Sequence, residues 1–119
     1  MDNTFSLYAL SGLKGYIAAA LVDCESGVAT LKHGEGFDLD FAAAGNAEVI
    51  KAKRKVTSGL QLNDDIEDFL ISLHKQYHLL RPLETNRNLF LYLVLDRAKA
   101  NLALARHALK LLDESFDCS

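Results

Sequence analysis

The sequence predicts a protein of the α/β class, an α+β sandwich in which helices cover both faces of a β-sheet. Two stretches ask for that arrangement. Residues 15–23, "GYIAAALVD", set Tyr16, Ala18, Ala20 and Val22 on one side of an extended chain and Ile17, Ala19 and Leu21 on the other. Residues 88–96, "NLFLYLVLD", repeat the pattern, with Leu89, Leu91, Leu93 and Leu95 opposite Phe90, Tyr92 and Val94. Neither side of either strand is polar, so both belong in the middle of a sheet with cover above and below. The third observation is the supply of cover. Segments at the start, middle and end of the chain have helical spacing, which lets the middle helix take one face and the two terminal helices the other.

In chain order, residues 4–12, "TFSLYALSG", begin at a capping Thr4 and place Leu7 and Leu10 three apart before Gly12, which predicts a short helix. The first greasy strand follows. Cys24-Glu25-Ser26-Gly27 then supplies turn chemistry before "VATLKH", residues 28–33, making a hairpin that Gly34 and Gly36 end. Asp38 caps the middle helix, residues 39–56. At about 100° per residue, Phe41, Ala42, Gly45, Val49, Ala52 and Val56 share one arc, which is expected to face the core. Ala43, Ala47 and Ile50 fall on a second arc beside Arg54, and these small side chains allow close approach of another helix, from the monomer or from a partner.

Residues 66–83 fit two templates. Ile66, Phe69, Leu70, Leu73, Tyr77 and Leu80 have helical spacing, while Phe69, Ile71 and Leu73 alternate with Leu70 and Ser72 as in a strand, and Pro82 stops a long helix. After the second greasy strand, Asp96 is expected to cap a final helix with Ala98, Leu102, Ala105, Leu109 and Leu112 on one stripe, widened by Leu104, Ala108 and Leu111.

The order helix, two strands, helix, three strands, helix resembles the roadblock (dynein light-chain) superfamily, in particular its small bacterial MglB-like members. "GYIAAALVDCESGV" resembles the family's first hairpin, "YHLLRPL" its fourth strand and "DRAKANLALARHAL" the start of its last helix, and the resemblance spans residues 7–112. It implies a five-stranded, mostly antiparallel sheet, with residues 66–82 as a hairpin, although Lys75-Gln76 offers no glycine or asparagine for a tight reversal. It also implies a homodimer in which the middle helices meet and the third strands pair edge to edge, and a protein that acts by binding other proteins, often small Ras-like GTPases. The residues expected at the dimer or partner interface are Ala43, Ala47 and Ile50, the basic Lys51, Arg54 and Lys55, and, toward the third strand, Asp68 and Leu70.

Composition narrows the alternatives. A chain of 119 residues, half of them apolar, is expected to form a single domain over 1–119 that buries roughly two thirds of its unfolded surface. Thirteen Lys and Arg against sixteen Asp and Glu give a net charge of −3, which carries no footprint for nucleic acid. Membrane insertion is not expected, since no apolar run reaches about 18 residues and the first residues lack a basic, greasy leader; the expected location is the cytoplasm. Cys24 and Cys118 have neither disulfide density nor zinc spacing and are expected to be free thiols.

No cofactor, metal or catalytic residue is expected. His74 and His78 would face one metal only on a helix, and no third ligand stands at a suitable spacing. Glycine-rich phosphate loops and G-x-S-x-G elbows are absent, and Asp23 and Glu25 flank Cys24, which disfavours a thiolate. One local feature remains. "KAKRK", residues 51–55, packs four of the thirteen basic residues into five positions, either as a solvated helix end or as a docking patch, and "NDDIED", residues 63–68, could complement it across a symmetric dimer. The leading expectation is therefore a non-enzymatic homodimeric adaptor or regulator of a small GTPase. The alternative is a structural dimerisation module in a larger complex with no GTPase partner.

Overall fold

The two doubly apolar stretches lie side by side, as their composition requires. In the computed structural model, which describes residues 6–116, they are β1 (Tyr16–Asp23) and β5 (Leu89–Asp96). With β2 (Val28–His33), β3 (Phe69–Ser72) and β4 (Gln76–Pro82) they form a five-stranded sheet of order β2-β1-β5-β4-β3, and every neighbouring pair is antiparallel. Residues 66–82 therefore do contain a hairpin of two strands. Thr4 and Cys118 lie outside the described residues.

Alternation sorts the strand residues into two cores. On one face Ala19, Leu21, Leu79, Leu91, Leu93 and Leu95 pack with Leu7 and Leu10 from the N-terminal segment and with Ala105, Leu109 and Leu112 of α2 (Leu102–Ser115). On the other, Ala18, Ala20, Val22, Leu80, Phe90, Tyr92 and Val94 pack with Leu39, Ala43, Ala47 and Ile50 of α1 (Leu39–Gly59). The middle helix thus covers one face and the two terminal segments the other.

The first and last helical segments start or stop away from expectation. The N-terminal segment is a single 3₁₀ turn, Leu7–Leu10, capped by Ser6, because Gly12 and Gly15 follow so closely that no further turn can form. The last helix starts at Leu102 with Asn101 as its cap (Asn101 Oδ1 accepts Leu104 N–H at 3.0 Å). Asp96 instead caps a tight turn, accepting Ala98 N–H at 3.0 Å, which leaves Ala98 exposed and off the helix.

A backbone bond and bracing by Arg97 replace the missing turn chemistry between β3 and β4. Leu73 N–H donates to Gln76 O at 2.8 Å, and Arg97 holds the tip by donating from its backbone N–H to Lys75 O (3.0 Å) and from Nη1 to Leu73 O (2.9 Å). No residue from 73 to 75 has a positive φ, so glycine is not needed. α2 is fastened by a buried ion pair, Arg81 Nε to Asp113 Oδ2 at 3.0 Å, and Asp113 also accepts Glu84 N–H at 3.0 and 3.2 Å. Those bonds satisfy a carboxylate that burial would otherwise make costly.

Both outer strands of the sheet, β2 and β3, have one unpaired side. In β3, the Leu73–Gln76 bond sets the alternation so that Leu70 and Ser72 turn their peptide groups outward. β2 leaves Val28 and Leu31 exposed and departs from regular register opposite Leu21 and Val22.

Candidate functional site

The exposed side of α1 is the most apolar helix surface that the fold leaves uncovered. Asp38 starts the helix by accepting Phe41 N–H at 3.0 Å, and the rotation this fixes turns Phe41, Gly45, Val49, Ala52 and Val56 outward. Phe41 is 80% exposed, Val49 43% and Val56 49%. Their spacings of four, four, three and four residues keep them on one seam along most of the helix.

This reverses the expected assignment of the two arcs. Ala43 (0% exposed), Ala47 (1%) and Ile50 (0%) face the sheet and are core residues, so none of them presents a side chain to a partner. Of the arc expected inside, only Ala42 packs against the core. The physical reason lies in the floor. Phe90 and Tyr92 rise from β5 toward α1 and fill the layer, so the helix must contribute small side chains there, and its bulkier residues are left outside. Asn46, Arg54 and Thr57, all half-buried, share the inward side with Ala43, Ala47 and Ile50.

The basic cluster divides as well. Lys51 Nζ donates to Glu25 O (3.0 Å) and pairs loosely with Glu48 (3.5 Å), while Arg54 Nη2 donates to Arg87 O at 2.7 Å. Both are structural ties to the sheet's loops. Lys53 and Lys55 remain exposed beside the apolar seam. Because α1 runs on to Gly59, its last turn holds no basic residue, and "KAKRK" is not the helix end that the sequence suggested.

Asp68 and Leu70 are also committed within the chain. Asp68 Oδ2 accepts from Arg106 Nε at 2.9 Å, tying the approach to β3 onto α2, and the Leu70 side chain packs into the α2-side core. What Leu70 offers outward is its backbone. Of the other acidic residues of 63–68, Asp65 stands 3.9 Å from Arg87, whose Nη2 donates to Ile66 O at 2.9 Å. Between this loop and α1 lies an open depression of about 920 Å³, lined by Arg54, Thr57 and Asp64 among others.

Beneath the α1 side of the sheet runs a short polar chain. Tyr92 Oη donates to His78 Nδ1 (3.1 Å), and His78 Nε2 donates to Gln76 Oε1 (2.9 Å), which fixes the neutral tautomer. Phe37 closes over both rings, edge-on to His78 with centroids 5.8 Å apart and tilted against Tyr92 at 6.4 Å. Burial holds the His78 imidazole below its usual pKa and pushes the Tyr92 phenol up, the latter opposed by the Asn46 amide. His74 sits on the β3–β4 turn, so the two histidines share no metal-binding face. Cys24 is a free, buried thiol against Ala47 O at 3.8 Å, pushed up in pKa chiefly by burial. Among the described residues, no group of three or more His, Cys, Asp or Glu stands together as metal ligands, and no helix is long and apolar enough to cross a membrane.

Comparison with known proteins follows the fold. No family model and no curated protein matches the sequence. Solved structures do. A Roadblock/LC7 domain from Streptomyces avermitilis superposes with a TM-score of 0.75 at 17% identity, covering 91% of this chain and 88% of that one. MglB of Myxococcus xanthus gives 0.74 at 16% identity over 84% and 79% of the two chains. The gliding protein MglB of Thermus thermophilus gives 0.67 at 18% identity over 98% and 96%.

Proposed function

Because this chain has the roadblock fold in its MglB-like form, we propose that it is a non-enzymatic, single-domain cytoplasmic adaptor that acts as a homodimer and binds a small Ras-like GTPase. The observation that carries the reading is the exposed seam Phe41–Gly45–Val49–Ala52–Val56, on the same face of the sheet as the core that Phe69 and Ile71 of the open-edged β3 join. A second copy would cover both features at once, burying apolar side chains worth roughly 1.5–3 kcal/mol each when fully covered and pairing the outward peptide groups of Leu70 and Ser72.

Lys53 and Lys55 flank the seam and would steer a partner's approach through a field screened over roughly 8 Å at physiological salt. A Ras-like GTPase reshapes its switch loops with its nucleotide, so the adaptor's affinity should differ between the GTP and GDP forms. The experiment is light scattering at micromolar concentration on the parent and on Phe41→Glu/Val49→Glu, followed by association measurements with candidate GTPases in both nucleotide states. A dimer that the double substitution dissociates, with nucleotide-dependent binding, supports the proposal. A monomer throughout the range would refute the dimer, and a dimer indifferent to nucleotide state would leave a scaffold module instead.

A further inference from the structure

At the end of the sheet where β1 and β4 start and β5 stops, three loops close around an open depression of about 670 Å³ whose lining includes Ile17, His74, Lys75, Tyr77, Asp96 and Arg97. Backbone bonds hold the loops together: Asp96 N–H donates to Gly15 O at 2.7 Å and Arg97 N–H to Lys75 O at 3.0 Å. Lys75 and Arg97 line it, and the same loops carry the exposed Lys14 and Lys99 close by, which gives this end of the sheet a basic rim in a chain whose net charge is −3.

These cations differ from most others in the molecule. Lys32, Lys51, Arg81, Arg87 and Arg106 each have a carboxylate partner, whereas none of the four rim cations pairs with one among the described residues. The single carboxylate in the depression, Asp96, already accepts Ala98 N–H. Arg97 is also held in place. Its guanidinium lies 5.1 Å from the centre of the Tyr77 ring and donates from Nη1 to Leu73 O, while Nε and Nη2 make no hydrogen bond among the described residues. A fixed fork with two free donors is suited to a carboxylate, and ordering it beforehand lowers the entropy lost on binding.

We propose that this rim docks an acidic, extended segment of a partner protein, with Arg97 engaging a carboxylate and Lys14, Lys75 and Lys99 supplying the surrounding field. The concave shape, with Ile17 and Tyr77 in its lining, suits a peptide chain better than the flat surface of a membrane. The inference does not depend on the GTPase reading, because this end of the sheet is separate from the α1 seam.

The test is fluorescence anisotropy of a labelled peptide of alternating Glu and Ser at low and physiological salt. Lys75→Glu/Arg97→Glu should weaken binding by about tenfold or more, and Arg97→Lys by less, since it keeps charge but loses the fork. Lys110→Glu, a charge reversal on the exposed side of α2, should leave binding unchanged. Because Arg97 also braces the β3–β4 turn, Lys14→Glu/Lys99→Glu provides a second variant, at two ammonium groups that make no hydrogen bond or ion pair among the described residues, and it should also weaken binding. Equal loss in the Lys110→Glu control, no loss in either rim variant, or no peptide binding by the parent would overturn the proposal. Binding to phosphatidylserine vesicles without binding to the peptide would overturn it in favour of lipid headgroups.

Discussion

Asp113 has both carboxylate oxygens engaged by Arg81 and the Glu84 N–H, and it is almost wholly buried. Replacing it with alanine strands the Arg81 charge inside the protein, and a cost of about 3–5 kcal/mol is expected by urea unfolding. Arg81→Met/Asp113→Leu should recover much of that loss, because desolvation of the pair offsets its attraction. His78 gives the second residue-scale prediction. Its pKa is below 6.5 in the folded protein, so the unfolded chain holds more protons between 6.5 and the lower folded value. Stability is therefore fully present above pH 6.5 and falls as the pH drops toward the folded pKa, with a slope of at most about 1.4 kcal/mol per pH unit. His78→Phe should flatten that slope in a series of melts between pH 7.5 and 5, and an unchanged slope would remove His78 from the account.

Among elements, the turn after β2 shows how much a single backbone angle commits. Gly34 has φ +107°, and a Cβ there would stand 2.6 Å from Ile17 O and 2.8 Å from Ala18 Cα, so Gly34→Ala has nowhere to go. Gly36, at φ +74°, opens onto empty space, and Gly36→Ala should cost only the left-handed penalty of about 1–2 kcal/mol. Thermal melts should rank Gly34→Ala far below Gly36→Ala. On α1, Ala47→Glu should unfold the protein, since it drives a charge into the core, whereas Phe41→Glu should leave the fold intact and weaken only self-association. Circular dichroism with light scattering separates those outcomes. The same helix marks the limit of what its sequence reveals. Its start at Asp38 was legible because a cap acts through its own backbone neighbours. Which of its two apolar arcs faced inward was not, because that depends on Phe90 and Tyr92, about forty residues further along. Likewise, β1 and β5 declared their central place through composition alone, while the β3–β4 turn relies on Arg97, which no local rule could have supplied.

At the scale of the molecule, two open edges have different prospects. If the β3 edges of two copies join, each β2 becomes an outer rim of a sheet twice as wide, and two-fold symmetry makes both rims identical. Such a ribbon can lengthen indefinitely unless its ends resist pairing. β2 carries two features that resist it. The irregular register opposite Leu21 and Val22 spoils a straight template, and Lys32, held by Asp40 at 2.9 Å, keeps a charge beside Val28 and Leu31. On this view Lys32 is a gatekeeper against polymerisation. Lys32→Val should leave the melting temperature close to that of the parent but make concentrated samples turbid on storage, as fibrils or amorphous aggregates grow from rims that no longer repel one another.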